Sequence, residues 1–136
     1  GDTMPVDPLY KSPNAKIKIA VSESFNLDNG AGTTVDRVLL RSSKPLKLLK
    51  ARVVYEDATT GTVAAGSIQL GVTVGGATVI AATNYENTKA VGSATDLTLL
   101  LTNVAADTPL CVRHTGVAST QAGQAHLELE YAVMDD

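Results

Sequence analysis

His114 and His126 are the two imidazoles of the chain, so acid-base or transition-metal chemistry at neutral pH would have to be built around one of them. A hydrolytic triad also needs a nucleophile and an orienting acid, and no Gly-x-Ser-x-Gly elbow is present to supply them. A zinc site takes three or four ligands, and no His-x-His or Cys-x-x-Cys spacing supplements the pair. Both histidines therefore read as ordinary surface residues, one at a strand end and one at a strand start. Cys111 precedes His114 by three positions, but odd spacing along a strand sends the two side chains to opposite faces, and the thiol reads as a small buried or half-buried group. Glu128 and Glu130 do share a face, about 7 Å apart by the rise of a strand, a spacing at which two carboxylates can serve glycoside hydrolysis. Solvated alternation explains them without any chemistry. Asn26 to Gly30 has too few carboxylates for a calcium loop, and Gly75-Gly76 lies between two strands and opens no helix that could hold a phosphate. The expectation is no catalytic residue, no metal, no cofactor and no enzyme.

Contact chemistry has more to draw on. Arg41, Lys44, Lys47, Lys50 and Arg52 concentrate positive charge in twelve residues, a cluster that could meet an acidic partner surface. Residues 1 to 14 hold Pro5, Pro8 and Pro13, which block helix and central strand alike and predict an extended arm. Val6, Leu9 and Tyr10 would be wasted in water and suit docking on a neighbouring subunit. The polar excursion between Ala82 and Ala94, which holds Asn84, Tyr85, Glu86, Asn87 and Lys89, predicts a surface loop of the kind that carries recognition. The candidate partner-binding residues are thus Val6, Leu9, Tyr10, Lys44, Lys47, Lys50 and Tyr85.

These residues must be positioned by strands. The stretch from His126 to Met134 alternates Leu127, Leu129, Tyr131 and Val133 with His126, Glu128, Glu130 and Ala132, the period-two pattern of a strand with one wet face. Ala15 to Ser22 places Ile17, Ile19 and Val21 on one face and Lys16 and Lys18 on the other, predicting a strand with a cationic outer face. Thr33 to Arg41 is β-rich with both faces partly covered. In Leu46 to Glu56 the apolar parity switches between Leu48 and Leu49, the mark of a β-bulge. Glu56 to Gly66 predicts a long loop or weak edge strand. Ile68 to Val74 and Thr78 to Ala82, joined by Gly75-Gly76, predict a hairpin with a tight two-residue turn. Asp96 to Thr102 puts Leu97, Leu99 and Leu101 on one side and leaves Leu100 exposed, and Leu110 to Thr115 follows the Asp107-Thr108-Pro109 turn.

About eight strands and no convincing helix predict a single all-β domain over 15–136, an antiparallel β-sandwich. A jelly roll is favoured over an immunoglobulin-like sandwich, which usually carries a core Trp and paired cysteines. At 136 residues one core is expected. The net charge of -3, with 18% charged residues of both signs, offers no basic field for nucleic acid or an anionic membrane. No run approaches the length of a bilayer span, and solubility is expected. A single cysteine forbids an internal disulfide, and one Phe, four Tyr and no Trp leave little material for stacking sugars or bases.

The strand at Leu46 to Tyr55, the Ile68-Gln69-Leu70-Gly71-Val72 run before the Gly-Gly pair, the leucine strand and the segment from Asp107 to Gly116 together resemble small capsid cement or decoration proteins of tailed bacteriophages. The resemblance covers residues 15 to 134 and rests on motifs of low specificity. It implies a jelly roll without enzymatic activity that is made in the host cytoplasm and binds the outer surface of an icosahedral head. There it would clamp neighbouring major capsid proteins, self-associated as a dimer or trimer. Other viral β-modules, such as a head-fibre base or tail subunit, share these motifs, and a carbohydrate-binding jelly roll is the alternative from another class.

Overall fold

The computed structural model describes residues 16–61, 66–117 and 121–134. In chain order the strands are β1 (Ile17–Val21), β2 (Phe25–Asn26), β3 (Thr34–Leu40), β4 (Leu46–Tyr55), β5 (Thr60–Gly61) and β6 (Ser67–Gly71). They continue with β7 (Ile80–Asn84), β8 (Ala94–Leu97), β9 (Asn103–Val104), β10 (Leu110–Thr115), β11 (Gln121–Ala122) and β12 (Gln124–Val133). One antiparallel sheet runs β1-β12-β4-β8, with β2 added on β12 and β9 on β4. The second runs β3-β10-β6-β7, and β5 pairs with β11 in a short ribbon of their own. The expected all-β sandwich is what the chain forms.

The winding follows a simple rule. Of the strands four residues or longer, the first pairs with the last (β1 with β12), the second with the seventh (β3 with β10), the third with the sixth (β4 with β8) and the fourth with the fifth (β6 with β7). A single long antiparallel hairpin has those pairings. Rolling it up adds the contacts of β12 with β4 and of β10 with β6, which turn four ribbons into two facing sheets.

Alternation decides which side chains fill the space between them. Leu46, Leu48, Ala51, Val53 and Tyr55 of β4 meet Leu127 and Leu129 of β12, and Ile68, Leu70, Leu110 and Val112 face them from the second sheet. Tyr131 and Val133 pack at the margin of this core, so the closing strand lines the interior as its pattern predicts. The parity switch in β4 is a bulge, since Lys50 pairs with Glu130 and Leu48 with Tyr131, leaving Leu49 as the extra residue. β3 carries a second one: Leu40 pairs with Leu110 and Val38 with Cys111, so Leu39 and Leu40 both pack against the core despite being adjacent. Leu100 is 60% exposed, as expected.

Two expectations fail for reasons of register and backbone. In β1, Ile17, Ile19 and Val21 pair with Ala132, Glu130 and Glu128 on the outer face of the sheet, while Ala20 pairs with core-facing Leu129 and packs against the core. The apolar side chains and not the lysines share the outer face of the sheet, while Lys16 and Lys18 are exposed too, because this edge strand is covered only at Ala20. The tight two-residue turn at Gly75-Gly76 is also absent. β6 ends at Gly71, the return strand begins at Ile80, and the segment between them bends at Thr73 to Gly76, where the Gly76 amide donates to the Thr73 carbonyl at 2.9 Å. Gly75 sits at φ 76°, the left-handed region that glycine tolerates. This loop folds back onto β6, where a Cβ on Gly71 would lie 2.4 Å from the Gly76 carbonyl carbon and the Gln69 side-chain Nε2 donates to the Gly75 and Gly76 carbonyls at 3.0 and 3.1 Å.

Leu127→Ala should cost about 2–5 kcal/mol, because a fully buried leucine leaves a cavity between two sheets. Leu100→Ser should stay within about 0.5 kcal/mol. Urea unfolding of the two variants checks both values.

Candidate interaction surface

Three rows of side chains cross the outer face of the six-stranded sheet, fixed by the pairing of β1, β12 and β4. Ile17, Ala132 and Lys47 form the first row, and Ile19, Glu130 and Lys50 the second. Val21, Glu128 and Arg52 form the third, which Asp96 of β8 extends. His126 and Val54 follow beyond it.

The charged columns are tied into one network. The Arg52 guanidinium donates from Nε to Glu128 Oε1 at 2.9 Å and from Nη1 to Glu130 Oε2 at 2.5 Å. His126 bridges two carboxylates, with Nδ1 at 2.6 Å from Glu56 Oε2 and Nε2 at 2.9 Å from Glu128 Oε2, and the Ser24 hydroxyl donates to the same Glu56 oxygen at 2.5 Å. Burial works against the charged imidazole, yet hydrogen bonds to Glu128 and Glu56 outweigh it and raise the His126 pKa above its ordinary value. The Ser24 hydroxyl chiefly, helped by His126, holds Glu56 below the usual carboxylate range, and His126 with Arg52 does the same for Glu128. In its protonated form the ring can donate from both nitrogens, one to each carboxylate, which is why the pairing favours the charged imidazole. Such a clasp orders side chains, and Glu128 and Glu130 stand on the outer face as an ion-paired surface. Among the described residues no group of three or more His, Cys, Asp or Glu side chains is arranged to hold a metal ion.

His114 overturns its surface assignment. Its ring is fully buried and stacks on Phe25, with centroids 5.0 Å apart and planes 7° from parallel. Burial lowers its pKa, against an opposing hydrogen bond with the Asn26 backbone, so the neutral ring accepts from the Tyr85 hydroxyl at Nδ1 (2.7 Å) and faces the Asn29 side-chain oxygen at Nε2 (3.3 Å). Tyr85 is therefore no surface contact. It is 1% exposed, its phenol pKa pushed far up by burial, and it anchors the 85–93 loop from inside. Thr59 adds a second anchor by accepting from the Lys89 amide at 2.6 Å and donating to the Glu86 carbonyl at 3.0 Å. His126, for its part, is half-buried in the clasp rather than free on the surface.

The remaining predicted contact residues are spread over one end and one face. Lys44 is exposed in the 41–45 loop, which meets the 105–109 loop where the Asp107 amide donates to the Ser42 carbonyl at 2.7 Å. Lys47 reaches the Thr102 hydroxyl at 3.5 Å, and Lys50 pairs with Asp96 at 3.6 Å, so part of the basic cluster is neutralised internally. Val6, Leu9 and Tyr10 lie outside the described residues. Sequence reasoning missed the exposed run Ile17, Ile19 and Val21, and nothing in the period of β1 could have shown which of its faces lies on the outside of the sheet.

No family model and no curated protein matches the chain. Two solved structures resemble it over nearly their whole length. A chain in the cyanophage Pam1 capsid asymmetric unit matches with a TM-score of 0.64 at 12% identity, covering 98% of this chain and 95% of that one. A chain in the capsid of Ralstonia phage GP4 matches with a TM-score of 0.50 at 15% identity, covering 99% of this chain and 92% of that one. At these identities the likeness is one of fold.

Exchanging His126 for Gln should flatten one limb of the pH-stability profile. A raised folded-state pKa contributes stability that is full below about pH 6.5 and lost as pH rises through the folded value, so the wild type should weaken on the alkaline side where the variant does not. Denaturant midpoints between pH 6 and 9 test this. Tyr85→Phe leaves a buried imidazole nitrogen without its donor and should cost about 1–3 kcal/mol by thermal or urea unfolding.

Proposed function

We propose that this chain is a structural component of a bacteriophage capsid, a jelly-roll cement protein that binds the outer surface of the icosahedral head and stabilises contacts between major capsid proteins. The observation that carries this reading is the near end-to-end correspondence with the Pam1 and GP4 capsid chains in both directions of coverage. The winding supports it as well, since the first-to-last, second-to-seventh pairing is that of a jelly roll. The outer surface offers contact chemistry: cations at Arg41 and Lys44 on the loop end, and aliphatic side chains at Ile17, Ile19, Val21 and Val38 on edge strands. A protein that works by contact area needs both, and burying over about 1,000 Å² per interface would call on the loops and the arm of residues 1 to 14 together. In this reading the chain is not an enzyme.

The expected result is co-sedimentation with expanded, DNA-filled heads of the parent phage, and not with empty precursor shells, together with a higher rupture temperature for the decorated heads. Indifference to capsids in both assays sinks the reading. Lys44→Glu combined with Lys47→Glu should weaken head binding about tenfold and reduce its salt dependence if these cations meet an acidic shell.

A further inference from the structure

Three β-branched side chains on the outer face of β1 break the rule that the rest of that sheet obeys. Ile17, Ile19 and Val21 are 50%, 53% and 56% exposed, while the neighbouring columns on β12 and β4 carry Glu128, Glu130, Lys47, Lys50 and Arg52. Among the described residues β1 is also the last strand of its sheet, with β12 on one side and no further strand on the other. A hydrophobic, unbulged edge strand is a template for pairing with another chain, and it is normally blunted by charge or proline. The two lysines flanking and splitting the stripe leave its aliphatic side intact.

We propose that two copies of this chain pair through β1, antiparallel about a two-fold axis at Ile19, so that the six-stranded sheets continue into one another. The occupant is argued from the strand itself, which is self-complementary in one register only. Centred on Ile19, the pairing sets Ile19 against Ile19 of the second copy, Ile17 against its Val21, Lys18 against its Ala20 and Lys16 against its Ser22. The three exposed aliphatic side chains then meet one another across the axis and no like charges are opposed, the arrangement that cross-strand pairs favour. Centring on Lys18 puts the two lysines face to face, and centring on Ala20 sets Ile17 against Glu23. A single-residue slip would turn the stripe to the wrong face. The inference rests on the edge strand alone and stands whether or not the chain binds a phage head.

Sedimentation velocity of the full chain tests it. A dimer is expected, and Ile19→Lys should weaken dimerisation about tenfold or more by opposing two cations across the axis, with an unchanged circular dichroism spectrum and melting curve of the dissociated protein. Ile19→Cys supplies an independent readout. Antiparallel neighbours have Cα atoms about 4.5–5.5 Å apart, within the span of a disulfide, so mild oxidation should link the two copies at this position. Wild-type protein, whose Cys111 is buried, should stay unlinked. A monomer, a trimer, or a dimer that survives Ile19→Lys and gives no cross-link overturns the proposal. So does a chain that dimerises only after residues 1 to 14 are removed, because the arm would then be what covers the stripe. A variant that is monomeric yet still binds heads separates this interface from the capsid contact.

Discussion

β12 is hydrogen-bonded to β4 along nearly all its length and to β1 and β2 on its other side, so its register reaches every part of the six-stranded sheet. Side chains alternate with a period of two, and slipping β12 by one residue would send Leu127 and Leu129 to solvent and bring Glu128 and Glu130 into the core. Burying two carboxylates away from Arg52 and His126 would cost far more than any backbone pairing returns. The same register that seals the core also assembles the ion-paired outer face, because Arg52 of β4 stands directly opposite Glu128. Core and charged surface are therefore two readings of one alignment.

The two ends of the sandwich are built differently. At one end the 27–30, 85–93 and 116–117 segments close over a buried polar chain running from Tyr85 through His114 to Asn29, with Phe25 stacked on the imidazole. A Cβ on Gly116 would lie 1.5 Å from the Asn29 side-chain oxygen, so a larger residue there would push Asn29 away from His114. A buried imidazole satisfied on both nitrogens fixes loop positions without adding a charge to the interior. At the other end the loops are tied by backbone hydrogen bonds, from Asp107 to Ser42, Leu100 to Val79 and Met134 to Pro45, and carry Arg41, Lys44 and Leu100 outward. The first end is locked from inside, and the second presents side chains.

A scaffold of this kind places its chemistry on the outside. The interior is taken up by Val, Leu, Ile, Ala, Phe25 and two tyrosines, one of them spent on His114 and the other accepting from the Glu86 amide. The second sheet has its own outer ion pair, Asp36 with Arg113, held by two hydrogen bonds of 2.7 and 3.0 Å. Against these paired surfaces the aliphatic edge at β1 stands out because nothing in the fold covers it among the described residues.

The all-β sandwich, the core parity of β12, the bulge at Leu49 and the exposure of Leu100 were legible in the sequence, because alternation and its breaks are local properties of the chain. Local pattern could not say which face of β1 turns to the outside of the sheet. Ile17, Ile19 and Val21 alternate as well as any core strand, and only pairing with Glu128 and Glu130, at a sheet edge that the second sheet does not cover, turns them outward. Nor could it tell that His114 and Tyr85 meet, since they are 29 residues apart and each sits in an unremarkable context. The clasp of Glu56, His126, Glu128 and Arg52 draws on β4, β12 and the residue after β4, and its members acquire partners only once the strands are in register. Periodicity determined what each strand is. Long-range pairing decided which surface each strand shows, because a strand has two faces and only its neighbours choose between them.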